Sequence, residues 1–279
     1  MSVASLRGTG PTEASLTRQG GGSVQHAKLA WVWPCLSAGS PLSQRPMITY
    51  EFVLDGGPGH KFQVDLDRLP GSASGTARPP WTLLTFKQCP NCPLSTTEHS
   101  HCPVALDLEE IVTRFRGLLS FQEVTVNVHA PERSYSKRCD VQTGLRSLVG
   151  LVMATSGCPI LGRFRSMAYY HLPFSNVEET LFRTVGSYLL KQYFIRKAGG
   201  EADLDLRGLA RFYEEVQEVS QAFKARVDAA SERDANMNAL GTLILLGMVV
   251  SSSLDEQLKE LQSQFSEGSG GGSADPAPA

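Results

Sequence analysis

Long apolar runs are missing from this chain. The longest, ALGTLILLGMVV from Ala239 to Val250, stops short of the ~18 to 20 apolar residues that a helix needs to cross a bilayer. No membrane span is expected, and the run reads as a buried helix. Charge of one sign is missing as well: 26 Lys and Arg stand against 28 Asp and Glu, a net −2, with no basic face or stripe to mark a nucleic-acid partner. The small basic groups, Arg133, Lys137 and Arg138 and then Arg163 and Arg165, read as solvated faces. No secretory signal is visible, because the early basic residues are not followed by an apolar stretch of about 7 to 15 residues. Six cysteines in that context point to a reducing, cytoplasmic compartment, where clustered thiols are more often ligands than disulfides.

Recurring catalytic signatures are also lacking. There is no G-x-S-x-G, no H-E-x-x-H, no Walker A and no G-x-G-x-x-G after a strand. The glycines of DGGPG join two strand patterns and read as a hairpin turn. Adjacent acids such as Glu109/Glu110, Glu178/Glu179 and Glu214/Glu215 point in different directions on helices and read as solvated faces. The sequence therefore leans toward a non-enzymatic protein.

What is present divides into three parts. Residues 1–46 are rich in Gly, Ser, Thr and Pro without a period, the composition of a disordered leader, and a start codon assigned too far upstream would account for it. The last residues, 266–279, have a flexible-linker composition. Between them, 47–265 reads as one α+β domain, sheet-rich over 47–140 and helical over 141–265. Ile48, Tyr50, Phe52 and Leu54 alternate with polar residues, as do Phe62, Val64 and Leu66, which gives a first hairpin. WTLLTF (81–86) reads as a third strand leading into Cys89. DLEEIVTRFRGLLS from Asp107 has helical spacing with acids in its first turn, EVTVNVHA and RSYSKRCDV read as a second hairpin, and GLRSLVGLVMATSG is a helix stopped at Gly157. After Asn176 three long helices follow, the last from ERDANMNALG to QSQF.

The chemical signal sits in KQCPNCPLSTTEHSHCPVA, residues 87–105. Cys89 and Cys92 form a C-x-x-C pair whose tight turn puts both sulfurs on one side, and Cys102 follows. A soft tetrahedral ion needs a fourth donor. Four of the six cysteines precede proline: Cys89, Cys92, Cys102 and Cys158. Proline makes up only about 5% of ordinary sequence, so this pattern selects a set. A proline directly after a ligand leaves untouched the backbone N–H donors two and three residues on, which stabilise thiolates, and it stiffens the turn. The expected ligands are therefore Cys89, Cys92, Cys102 and Cys158, with His101, His99 and Cys139 as lower-ranked substitutes. Zinc is the expected metal and an iron–sulfur cluster its rival, since the spacing does not separate them. A redox dithiol and plain structural thiols are the remaining readings.

Two further segments carry expectations. GRFRSMAYYHLPF (162–174) could line an anion pocket with Arg163 and Arg165 as donors and His171 as a titrating group, although a connector packing its aromatics on the sheet explains the same residues. Leu254, Leu258, Leu261 and Phe265 form a stripe that packs on the chain's own helices or serves as a homodimer seam through the C-terminal helices.

In FKQCPNCPL…HCPVALDL, SLVGLVMATSGCPILGRFRSMAYYHLPFSNVEETLFR and YLLKQYF, the sequence resembles an uncharacterised bacterial family, a domain of unknown function, over roughly residues 47–265. The resemblance implies a bacterial cytoplasmic protein and brings with it no activity, cofactor or catalytic residue.

Overall fold

In the computed structural model, β1 (Met47–Leu54) is the strand around which the sheet is assembled. It pairs antiparallel with β2 (His60–Asp65) on one side, Tyr50 opposite Phe62, and with β3 (Glu123–Ala130) on the other, Tyr50 opposite Val128. β3 then pairs with β4 (Arg133–Asp140), so the order is β2-β1-β3-β4 and every neighbour is antiparallel. The structure describes residues 46–54, 59–68, 78–252, 254–262, 264 and 265. The expected leader, the turn of the first hairpin and the expected tail lie outside those residues.

Alternation decides which face is buried. Ile48, Tyr50, Phe52, Phe62, Val64, Val124, Val126 and Val128 all point into the core, each stabilising the fold by about 1.5 to 3 kcal/mol. β4 is polar along its length, as suits an edge strand facing solvent.

Two helices cover the apolar face. α1 (Pro103–Phe115) brings Phe115 against Phe52 and Phe62, with ring centroids at 4.9 and 5.8 Å. It starts four residues earlier than the acids of DLEEIV suggest, because Pro103 can occupy the first helical position with Cys102 as N-cap, and so no acid lies in the first turn. α2 (Val141–Thr155) is capped by Asp140, whose carboxylate accepts from the Thr143 N–H at 2.9 Å. It packs so closely on the sheet at Gly144 that a Cβ there would stand 2.6 Å from Val126 Cγ2. The helix ends at Thr155, two residues before Gly157.

The remainder is helical. A 3-10 turn (Leu161–Phe164) and the short α3 (Arg165–Tyr169) lead to α4 (Val177–Lys197), which opens with a capping box: Asn176 Oδ1 accepts from Glu179 N, and Glu179 Oε2 accepts from Asn176 N. α5 (Arg207–Asp228) presents Phe212, Val216, Val219, Phe223 and Val227 on one stripe. The last helix read from the sequence is described as α6 (Ala235–Ser252) and α7 (Leu254–Gln262), on either side of position 253, which lies outside the described residues. α6 lies against α2 and α5, which places a helical layer over the sheet-facing one. Among the described residues, no helix is long and apolar enough to cross a membrane.

One expected strand is absent. WTLLTF begins with a 3-10 turn at Pro80–Thr82, and only Leu83 forms a bridge, to His101. Its carbonyl groups are taken by other partners, described next, so no ladder can extend along it.

Candidate metal centre

The cysteine loop leaves and rejoins the fold at one neck. Leu84 N donates to Ser100 O at 3.0 Å, Cys102 N donates to Thr82 O at 2.9 Å, and the Leu83–His101 bridge lies between them. Within the loop, Cys92 N donates to Cys89 O at 3.1 Å, which closes the C-x-x-C turn. Asn91, inside that turn, donates from Nδ2 to the Glu215 carbonyl at 2.9 Å, and the Cys89 thiol points to the Val219 carbonyl at 3.9 Å. The turn is thus held against the middle of α5.

Cys102 sits at the start of α1, and Cys158 sits just before the 3-10 turn that follows α2. Burial raises the Cys102 thiol while the N–H groups of Ala105 and Val104 act on its sulfur in the opposite sense. Burial likewise raises Cys158, against the N–H groups of Leu161 and Ile160. Those donors are two and three residues past each cysteine, where a proline in between removes nothing.

The four Cys-Pro thiols are electrostatic neighbours. Burial pushes Cys89 up to about 12, and Cys102, Cys92 and Cys158 add to the shift. Cys158 in turn feels Cys102 and Cys92. All five described cysteines are free thiols. Among the described residues, no group of three or more His, Cys, Asp and Glu side chains stands in an arrangement that could hold a metal ion.

The substitutes lie elsewhere. Cys139 is on β4 opposite Val124, and its thiol is raised by burial and by Asp140. His99 is exposed at the loop tip. The His101 ring is hydrogen-bonded through Nδ1 to the hydroxyl of its neighbour Ser100 at 2.8 Å.

The residue that sequence reading missed is Arg226. It is 1% exposed, and its Nη1 donates to the carbonyl oxygens of Trp81 (2.6 Å) and Leu83 (2.5 Å), with Nη2 3.4 Å from that of Leu84. These bonds occupy the backbone that WTLLTF would need for a strand. Burial lowers the pKa of Arg226, and the groups that oppose the shift are Cys102, Cys89 and Cys92. No described carboxylate forms an ion pair with it. A signal existed in the sequence: Arg226 interrupts the apolar stripe Val216, Val219, Phe223, Val227 at a position that faces the core.

The anion pocket expected around 163–171 is distributed differently. Arg163 pairs with Glu215 at 2.7 Å and lies over the Phe212 ring, and Arg165 donates to the Thr155 carbonyl at 3.3 Å. His171 instead lines a cavity together with Arg146 and Arg183. The α7 stripe is largely turned inward, with Leu254 and Leu261 buried and Leu258 packed against the core.

No curated protein and no solved structure matches the chain. The four Cys-Pro cysteines, the neck and Arg226 all fall within residues 48–266, which a family model described as a domain of unknown function, DUF6901, matches, and the chain belongs to that family.

Proposed function

We propose that this is a non-enzymatic metal-binding protein in which Cys89, Cys92, Cys102 and Cys158 hold one zinc ion. The metal would pin the cysteine loop and the start of α1 to the turn after α2, and the pinned loop would serve an interaction or regulatory role in the cytoplasm. Arg226 carries this reading. A buried guanidinium is costly without a counter-charge; three backbone carbonyls accept from this one, and among the described residues the only acidic groups acting on it are three of the four thiols. As neutral thiols they do little to offset its charge. As a zinc tetrathiolate, with a formal charge of −2, they would supply the missing anion. The N–H donors at Val104, Ala105, Ile160 and Leu161 favour the same ionised state. Ligation would require the sulfurs to move inward from the positions they hold as thiols.

The test is anaerobic purification of the full chain followed by elemental analysis and a visible spectrum. One zinc per chain without colour, lost in Cys158→Ala, supports the reading. Brown absorbance with iron and sulfide replaces zinc by an iron–sulfur cluster on the same ligands. Metal-free protein whose stability and zinc uptake are unchanged in Cys158→Ala overturns it.

A further inference from the structure

A cavity of about 180 Å³ is lined by residues of α2, α3, α4, α5 and α6, and by Leu161 of the turn after Cys158. Its walls are largely apolar, with Leu151, Met153, Leu161, Phe164, Leu172 and Leu243 among them, and the charge on them is of one sign. Arg146 and Arg183 both line it. Arg183 is fixed by Nη2 bonds to the Met167 and Tyr170 carbonyls, at 2.8 and 2.9 Å. Arg146 has no hydrogen bond or ion pair with any described residue. The nearest carboxylates are committed elsewhere, Asp140 to the cap of α2 and Glu179 to the capping box of α4. His171, on the same wall, is held by a 2.5 Å hydrogen bond between its Nε2 and the Tyr50 hydroxyl. With the tyrosine as donor, Nε2 is the bare nitrogen and Nδ1 carries a hydrogen that can be offered to an acceptor.

Two guanidiniums and a neutral imidazole N–H in an apolar cavity form a site for an anion with a small apolar body. We infer that this cavity binds a small monocarboxylate, its carboxylate on Arg146 and Arg183 and its body against Leu151, Phe164 and Leu243. The volume sets the size, since an apolar cavity of about 150 Å³ accommodates one benzene ring. A single aromatic ring or a chain of about six carbons is the limit. The site is independent of the cysteine centre, so it stands whether or not the chain binds zinc.

Benzoate and hexanoate are the probes, with benzyl alcohol and hexanol as uncharged isosteres, titrated into the full chain by calorimetry. Saturable binding of the acids, at least about tenfold tighter than the alcohols, is expected, because a bidentate charge-assisted contact is lost in the alcohol. Arg146→Met, which breaks no hydrogen bond, should lose a similar factor. Gly150→Leu provides a second variant: Gly150 lines the cavity on α2, and a Cβ there meets only Leu243 Cδ2 at 3.5 Å, so the added side chain fills the space and should abolish binding with the fold intact. Alcohols binding as well as acids, affinity retained in Arg146→Met, or no saturable binding of either acid overturns the inference.

A second observation is independent of the first. α4 buries Leu181, Thr184, Val185 and Gln192 on one side. On the other it exposes Phe182, Leu189, Leu190, Tyr193 and Phe194, four of them by more than half. A Cβ on Gly186, within that stripe, would meet nothing. Glu178 and Glu179 lie in the first turn, Arg196 and Lys197 in the last. We propose that the stripe is the seam of a homodimer in which α4 packs antiparallel on its copy. In the register centred on position 188, Phe182 meets the partner's Phe194, Gly186 receives the partner's Leu190, and the acidic first turn faces the partner's basic last turn. Such pairing is isologous and closes on itself. Sedimentation equilibrium of the full chain should give twice the chain mass, and Leu190→Glu should halve it with the helical circular dichroism unchanged. A monomer at all concentrations to about 100 μM, whatever covers the stripe, or a dimer unaffected by Leu190→Glu, overturns the proposal.

Discussion

Arg226 Nη1 lies 2.5 Å from the carbonyl oxygen of Leu83, and through that contact α5 holds the neck of the cysteine loop. Arg226→Met leaves the buried Trp81 carbonyl without the guanidinium, while that of Leu83 still accepts from Phe86 N at 3.1 Å, and should cost about 1 to 3 kcal/mol in urea denaturation of the metal-free protein. In a chelator competition it should also weaken zinc binding by about tenfold or more, the usual effect of removing a group that supports the ligands. Arg226→Lys keeps the charge but not the forked geometry, and should recover part of the affinity and little of the stability. Zinc bound equally tightly by Arg226→Met would remove the basis of the counter-charge argument.

Burial keeps Cys89, Cys102 and Cys158 as neutral thiols at neutral pH, with Cys89 pushed up to about 12. Zinc must therefore displace protons, about four for each ion bound. Calorimetric titration in two buffers of different ionisation enthalpy counts them, and zinc affinity should rise steeply from pH 6 to pH 8. A count below about two would mean that fewer thiols take part.

His171 is buried and faces Arg183, which lowers its pKa from the ordinary 6.5 to about 3. The folded chain thus holds this ring neutral where the unfolded chain protonates it. The stabilisation is fully present above pH 6.5 and is lost as pH falls toward 3, at a slope of up to about 1.4 kcal/mol per pH unit. His171→Gln should flatten the acid limb of a melting-temperature profile while lowering stability near pH 8. An unchanged acid limb would show that another group dominates acid unfolding.

Gly144 and Gly150 are both in α2 and should respond oppositely to alanine. A Cβ on Gly144 would stand 2.6 Å from Val126 Cγ2 and 2.9 Å from Phe52 Cε1, so Gly144→Ala should destabilise by about 1 to 3 kcal/mol despite the better helix propensity. At Gly150 the nearest atom is 3.5 Å away, and Gly150→Ala should stabilise by about 0.5 to 1 kcal/mol. Denaturation midpoints of the two variants decide it, and equal effects would contradict the packing described for α2.

β1, β2 and β3 were legible because their alternation is strict and one face is buried, as Tyr50, Phe52, Val126 and Val128 show, whereas β4 is polar along its length and is placed by following β3 through a short turn. WTLLTF was misread because an apolar run does not reveal that Arg226, more than a hundred residues away, takes the Trp81 and Leu83 carbonyls. The long last helix was legible as helix from its spacing over α6 and α7. The Cys-Pro pattern separates Cys89, Cys92, Cys102 and Cys158 from Cys139, and the cysteines that act on the Cys89 thiol are the other three of that set. The cavity arginines were not found: Arg146 and Arg183 lie on different helices, and only the packing of α3 against both α2 and α4 brings them to the cavity that His171 lines.

β1 finds its second partner late. Thr49 pairs with His129, roughly eighty residues on, and the whole cysteine loop and α1 lie in between. Such a sheet has high contact order and should fold slowly. The neck at Thr82 and Cys102 shortens the loop that must close, because the excursion through residues 84–100 is tied off before β3 arrives. Any contact that sets the neck early therefore speeds the pairing of the two hairpins, and opening it should slow folding more than it hastens unfolding.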